Sequence, residues 1–391
     1  MKILCRLLLL LILVPLHSYA QVQADSLKQV REDSLAITEA DDFVTASILV
    51  ATPSDVLYSC VGHASIRMQC PYYGLDMVYT YESESVVNRV LTFFMGDLKM
   101  GMTAVPTERV LSDYGKEGRG VDEYILNIPL EKRKQLWQYL DGKVEEGMNL
   151  PYDYLNRSCA LTTLRAVCAA VLPDTLSFGK WDERLTKKSR RALFGDRTDN
   201  FSWDRLIVFS ITGTEADTDC AVMDKVIIPA DLIAVLQNTR FNGQPVLGDL
   251  NTLVNRTVSI EKSGWFTPMT LACILLFLAV VSCFWLQKPL SILLLILQSV
   301  LGFALTYLVV FSSLPNTSFS WLIVPFNPLP LFLWHWRRWW LLPFAFVCIC
   351  WCVAMLIRIG NPLVDTAYIV FVIAIAVNYI GQKVNQNINQ L

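Results

Sequence analysis

The sequence predicts an α+β soluble domain followed by a bundle of apolar helices in a membrane. Beyond Trp265 the only charged residues are Lys288, Arg337, Arg338, Arg358, Asp365 and Lys383, although the chain runs on to Leu391, and such a tail belongs in lipid. Ahead of it, short β-branched or alternating runs are mixed with helical patterns without the strict alternation of a doubly wound sheet.

The chain opens MKILCRLLLLLILVPLHSYA, with Lys2 and Arg6, an apolar run from Leu7 to Val14 and then Ser18-Tyr19-Ala20. This is the layout of a secretory signal peptide over 1–20, so the mature chain is expected to begin near Gln21, outside the cytoplasmic membrane. No Cys follows the apolar run, which argues against lipoprotein processing. A polar lead-in (21–41), a soluble domain (42–255) and a membrane domain (256–391) then follow. With +2 in the first 20 residues and +4 beyond Trp265, the whole-chain net charge of −2 leaves −8 for residues 21–265. An acidic surface argues against nucleic acid as a partner.

In the soluble domain ASILVA (46–51) reads as a buried strand and VLYSCVGHASIRM (56–68) as a second, alternating around His63. MVYTYE (77–82) is a third, rich in β-branched and aromatic residues. Helical patterns follow at 107–116, 131–147 and 159–172, then DKVIIPADLIAVLQ (224–237) gives a strand leading into a helix, and 249–264 is a polar link. Uncharged runs at 265–286, 289–311 and 339–357, with a shorter one at 366–381, make four membrane helices. Between the second and third lies SWLIVPFNPLPLFLWHW, where Pro325, Pro328 and Pro330 break any straight helix. It is read as re-entrant or interfacial. If it crosses, it makes a fifth span and puts Arg337 and Arg338 on the cytoplasmic side, as the positive-inside rule prefers.

The chain has three histidines. His17 lies in the leader and His335 among the apolar segments, so His63 is the imidazole available to the soluble domain. In LNRSCALTTLRAVCAAVL, Asn156 or Ser158 stands at an N-cap, and Leu161, Leu164, Cys168, Val171 and Leu172 form a core-facing stripe. Cys168 is then a small buried hydrophobe. Cys159 sits in the first turn, where N–H groups and the helix dipole favour a thiolate and are expected to lower its pKa.

A cysteine at a helix start and a histidine on a neighbouring strand are the two parts of a papain-type thiol catalyst. His63 precedes Cys159, the reverse of the usual papain order, which implies a circularly permuted layout. The residues alone also allow a strand histidine and a packed thiol with no chemistry. Cys60, Cys70, Cys168 and Cys220 are disulfide candidates alongside Cys159, and a disulfide at Cys159 would remove the catalytic reading. No Cys/His cluster has metal-ligand spacing, and no cofactor is implied.

VATPSDVLYSCVGHASIRMQCPYYGLDMVYTYE closely resembles the opening of the Lnb N-terminal periplasmic domain family, in which Leu-Tyr-Ser, Gly-His, Ile-Arg and Gly-x-Asp-x-Val-Tyr recur. YDYLNRSCALTTLR resembles that family's second block and GTEADTDCAVMDKVIIPADL its third. With the leader, the spans and the FNPL loop, the likeness covers nearly the whole chain. The family includes a lipoprotein N-acyltransferase of Bacteroides, and its soluble domain is similar to permuted papain-like proteins that include lecithin:retinol acyltransferase.

The resemblance implies Cys159 as nucleophile, His63 as base and Asp76 as the group that orients the imidazole. It places Arg67, Arg165 and Tyr79 on the substrate side, the arginines as lipid-phosphate contacts, with an internal ion pair as the competing reading for each. The implied reaction takes an acyl chain from a membrane phospholipid and passes it to diacylated lipoproteins, at an inner membrane with the catalytic domain facing the periplasm. Two departures bear on substrate choice and oxyanion stabilisation: Arg157-Ser158 replaces Asp-Asn, and Tyr79-Thr80-Tyr81-Glu82 replaces Tyr-Asn-Tyr-Gly. A cysteine amidase or peptidase acting on cell-wall peptide, and a non-catalytic membrane protein, are the competing classes.

Overall fold

The computed structural model describes residues 44–55, 59–86, 88–198, 200–259, 264–317, 319–333 and 338–388. The expected leader (1–20), the polar lead-in (21–41), His335 and Arg337 lie outside the described residues. In chain order the strands are β1 (Thr45–Ala51), β2 (His63–Cys70), β3 (Leu75–Ser83), β4 (Lys99–Pro106), β5 (Val121–Leu126), β6 (Leu150–Pro151), β7 (Ser177–Phe178), β8 (Thr239–Phe241), β9 (Gln244–Pro245) and β10 (Leu247–Val254). Seven of them form an antiparallel sheet in the order β10-β5-β1-β2-β3-β4-β6, and β7, β8 and β9 make a small second sheet.

The helices of this part are α1 (Val90–Met95), α2 (Thr107–Lys116), α3 (Leu130–Glu145), α4 (Cys159–Ala170), α5 (Glu183–Lys187), α6 (Arg190–Arg197), α7 (Ser202–Ile211) and α8 (Pro229–Gln237). A helical part follows, with α9 (Pro268–Phe284), α10 (Gln287–Val310), α11 (Leu329–Leu333), α12 (Leu341–Ile357) and α13 (Thr366–Ile388). The chain is thus mixed α/β, sheet-rich first and helical after.

Both faces of the sheet are covered, which explains why β1 carries an unbroken apolar run from Ile48 to Ala51. Ala46, Ile48, Ala64, Ile66 and Met68 pack on Leu136, Trp137 and Leu140 of α3 and on Leu164 and Val167 of α4. On the opposite face Leu49, Ala51, Val78 and Val121 pack on Val110, Leu111 and Tyr114 of α2.

Four sequence expectations are corrected. β2 begins at His63 rather than at residue 56, because the chain first turns through Gly62 at φ +89°, whose N–H donates to the Ser59 carbonyl at 3.0 Å. Residues 224–228 are not a strand: a 3₁₀ turn at Val222–Lys225 leads into α8, with Val226 and Ile228 buried but pairing with no neighbouring strand. Leu247–Val254, within and ahead of the expected polar link, is an edge strand on β5, polar because it stays largely exposed. Leu172 lies past the end of α4 and is 58% exposed, so the buried stripe stops at Val171.

In the helical part α10 and α13 are long and apolar enough to cross a membrane, while α9 and α12 are apolar helices of 17 residues each. Trp340 packs edge-on against Tyr379, and Cys352 lies beside the Ile369 carbonyl, so α12 and α13 run antiparallel. Residues 321–333 form no single helix. Gln298 Nε2 donates to the Pro325 carbonyl at 2.9 Å, satisfying one group that a Pro-broken backbone leaves open. Gly302 makes the approach feasible, since a Cβ there would fall 1.7 Å from the Phe326 oxygen.

The two parts are bolted together. Ser313 N donates to the Met95 carbonyl at 2.9 Å, Arg205 Nε to Asp365 at 2.8 Å, and Asn316 Nδ2 to Asp153 Oδ1 at 2.8 Å. At Gly62 an added Cβ would meet the Ala51 oxygen at 2.7 Å, in a left-handed backbone. Gly62→Ala is therefore expected to destabilise the protein by about 1–3 kcal/mol. A thermal melt of the detergent-solubilised full chain indistinguishable from the parent's contradicts this.

Candidate active site

Ala51 of β1 pairs with His63 on one side and Val121 on the other, so three strand ends line up at one edge of the fold. Alternation turns Ala64 and Ile66 toward α4 and sends His63 to the opposite face, the face that Thr80 shares. There His63 Nε2 lies 2.8 Å from Thr80 Oγ1, and the Thr80 hydroxyl is in turn hydrogen-bonded to the Glu82 side chain. A hydroxyl between a ring and a carboxylate donates to the carboxylate and accepts Nε2–H, which leaves Nδ1 as the proton acceptor. Burial, helped by the charge of Arg119, pushes the imidazole down to about 4, so it is neutral at pH 7. Desolvation raises the Glu82 carboxyl and the Thr80 bond offsets part of that rise.

Ser158 caps α4, its hydroxyl accepting the Leu161 N–H at 3.2 Å, and Cys159 is the first residue of the helix. Its thiol is free, as are those of Cys60, Cys70, Cys168 and Cys220. Burial raises the Cys159 pKa, outweighing the backbone N–H groups of Ala64, Ala160 and Cys159 itself and the charge of Arg119, all of which favour the thiolate. This corrects the expected lowering: the helix start acts as predicted, but desolvating a thiolate costs more than those donors return. The resting pair is a neutral thiol and a neutral ring. Cys159 and His63 meet through the backbone, with the Ala64 N–H acting on the sulfur, and no hydrogen bond joins the ring to the thiol.

Arg119 is 5% exposed. Its Nε donates to the Thr52 carbonyl at 2.7 Å, its Nη1 reaches Glu117 at 3.3 Å and its plane lies 4.6 Å from the centre of the Tyr114 ring. Its Nη2 is buried without an acceptor among the described residues.

Residues 35–183, a stretch containing His63, Thr80, Arg119 and Cys159, match the family model described as the Lnb N-terminal periplasmic domain. Over that stretch the chain is similar to an Lnb N-terminal periplasmic domain. No curated protein and no solved structure matches it. Joined to two candidate membrane helices, the Lnb domain fits a membrane protein with a periplasmic domain.

Within the Lnb domain the other expected site residues are placed elsewhere. Asp76 pairs in register with Gln69, at the end of the β2–β3 hairpin away from His63. It holds Arg67 through two bonds of 2.7 and 2.5 Å and accepts from Thr107 at 2.5 Å, so the group on the imidazole is Thr80. The sequence held this signal, because a tight turn at 71–74 fixes the hairpin register and brings Thr80 and Glu82 to the His63 end. Arg67 also bonds Glu123 at 2.9 Å, which is the internal ion-pair reading. Arg165 bonds the Asn156 carbonyl and Asp224, each at 2.8 Å.

Tyr79 is 1% exposed on the α3 face, donating to Asp141 at 2.5 Å and accepting from Trp137 at 2.7 Å, and its hydroxyl pKa is raised, chiefly by burial. It is a core residue. Cys60 is buried, is not at a helix start, and its thiol is pushed up to about 12, mainly by burial. Among the described residues no group of His, Cys, Asp and Glu is arranged to hold a metal ion.

Iodoacetamide alkylation of Cys159, followed through the mass of its peptide across a pH series, is expected to have its midpoint above that of a free cysteine. A midpoint at or below the free value of about 8.5 contradicts the burial argument.

Proposed function

We propose that the protein is a thiol acyltransferase that moves a fatty acyl chain from a membrane phospholipid, through a thioester on Cys159, to the N-terminal amine of a diacylglyceryl-cysteine lipoprotein. The observation that carries the reading is the clamp at the start of α4. Asn156, three residues before Cys159, donates to Asn316 Oδ1 at 3.3 Å, and Asn316 donates to Asp153 at 2.8 Å. Asn316 belongs to the loop after α10, one of the two candidate membrane helices, so the thiol is held at the junction with the bundle. A soluble amidase or peptidase has no need of such a mount.

The order of a strand histidine ahead of a helix-start cysteine supports a permuted papain-like layout. In the first half-reaction His63 Nδ1 takes the Cys159 proton, directly or through one water, and the thiolate attacks an ester carbonyl of the phospholipid. The oxyanion that forms faces the Cys159 backbone N–H. It collapses to the thioester, and the departing lysophospholipid alkoxide takes the proton from His63. In the second, the lipoprotein α-amine attacks the thioester, loses a proton to His63, and the thiolate leaves and is reprotonated. Thr80, held by Glu82, fixes the ring so that Nδ1 serves both steps.

Both substrates are anchored in a bilayer, which gives the bundle its reason. Residues 320–333 follow the loop that holds Asn316, and Trp340 lies beside Tyr379 of α13. We count α9, α10, α12 and α13 as four crossings and read the Pro-rich stretch between α10 and α12 as the fifth, in an inner membrane with the Lnb-like domain on the periplasmic side.

Incubating the purified full chain with phospholipid carrying a labelled acyl chain is expected to place a hydroxylamine-sensitive label on Cys159 and none on Cys159→Ala. Activity without label on Cys159 sinks the proposal, and hydrolysis of cell-wall peptide instead favours the amidase class. His63 must be neutral to accept a proton, so kcat/KM is expected to fall as pH drops through about 4, rather than near the 6.5 of a free imidazole. An acid limb near 6.5 contradicts the burial of the ring. Thr80→Val is expected to slow labelling about 10- to 100-fold, and parent-like kinetics remove Thr80 from the mechanism.

A further inference from the structure

We propose that Arg119 anchors the phosphodiester of the lipid donor, its Nη2 edge receiving a headgroup phosphate oxygen. The proposal rests on the acyl-transfer reading and names the group that selects the donor.

Buried donors are rarely left unmatched, because the cost of desolvation is then unrecovered. Arg119 is nineteen-twentieths buried, yet Nη2 has no acceptor among the described residues. The rest of the guanidinium is pinned by the Thr52 carbonyl, Glu117 and the Tyr114 face, so the free edge is held in one direction before any ligand arrives. A planar, preorganised fork is the arrangement that suits phosphate oxygens.

The location fits a donor lipid. Arg119 lies two residues before Val121, which pairs with Ala51, the partner of His63, and its charge acts on both His63 and Cys159. The ester carbonyls of a phospholipid are only a few bonds from its phosphorus, so one molecule can address the anchor and the thiol together. The loop is also strapped to the chain that enters the bundle. Thr257 N and Val258 N both donate to the Gly118 carbonyl, at 3.0 and 3.1 Å, and α9 begins ten residues later at Pro268. A Cβ at Gly118 would fall 2.3 Å from Val258 Cγ2, so the strap lies directly on the Arg119 loop.

Arg67 and Arg165, the phosphate ligands that sequence likeness suggests, are turned to internal partners, Arg67 to Asp76 and Glu123 and Arg165 to Asp224. An anion at Nη2 would also offset the positive charge that depresses His63 as a base, so donor binding would ready the pair for proton transfer.

The test measures binding, independently of transfer, on the full chain carrying Cys159→Ala in neutral detergent. The probes are a short-chain phosphatidylglycerol, the diacylglycerol with the same chains, and inorganic phosphate. The phospholipid is expected to bind more tightly than the diacylglycerol, and adding Arg119→Gln is expected to weaken the phospholipid about 10- to 100-fold while leaving the diacylglycerol unchanged. Equal affinity for the two lipids before Arg119 is altered overturns the proposal, whether or not Arg119→Gln folds. So does unchanged phospholipid binding in a folded Arg119→Gln protein. Inorganic phosphate binding as tightly as the phospholipid would make this a phosphate site and overturn the lipid assignment. Absence of acyl label on Cys159 in the parent would remove the transfer reading and leave these outcomes intact.

Discussion

Ala51 lies opposite His63 on one side and Val121 on the other, and the site depends on that register. It brings the first residue of β2 level with the loop that carries Arg119, while the hairpin between β2 and β3 brings Thr80 to the same end and the same face. The α4 start arrives from the other face, near enough for the Ala64 N–H to act on the Cys159 sulfur. A slip of one residue would turn His63 into the α4 core and Ala64 outward, because side chains alternate with a period of two. Gly62 holds the register by admitting the turn that starts the strand at His63 and at no earlier residue.

The same packing sets the chemistry at rest. Desolvation opposes both charged forms, raising the thiol and lowering the imidazole, so the site holds neither thiolate nor imidazolium at pH 7. The proposed thioester chemistry would gain from such restraint, since a permanently charged thiolate would meet oxidants and stray electrophiles between turnovers. Reactivity then waits on substrate. The donors are already in place at the helix start, and they act most strongly on a charge that develops only during attack.

Much of the candidate site was legible in the sequence, for identifiable reasons. His63 stood out through the scarcity of histidine, and Cys159 through Ser158 and the apolar spacing that follows it. The helix patterns at 107–116 and 131–147 match α2 and α3 to within two residues because their turns and charges are strongly periodic. Asp76 was the wrong partner for the ring because a motif position was read without the hairpin register, which carries it to the far end of β3. The family likeness put Tyr79 on the substrate side, but a motif position does not fix which face the helices cover, and Tyr79 lies beside Trp137 of α3 in the core. Arg119 gave no signal at all. Its interest lies in a donor without an acceptor among the described residues, a property of three-dimensional packing that no spacing in the chain encodes.

The clamp of Asp153, Asn156 and Asn316 unites the two halves of the proposed function, since it fixes the helix of the proposed nucleophile to the loop that follows a candidate membrane helix. On the proposed reading, a periplasmic thiol held there would meet lipid donors and lipid-anchored acceptors in one plane. The most direct test is reconstitution of the purified full chain in phospholipid vesicles with a peptide bearing an N-terminal diacylglyceryl-cysteine, followed by mass spectrometry of the peptide. The account predicts a mass gain of one acyl chain on the α-amine, absent with Cys159→Ala. A peptide that stays diacylated with the active parent, or is acylated equally well by Cys159→Ala, would contradict it.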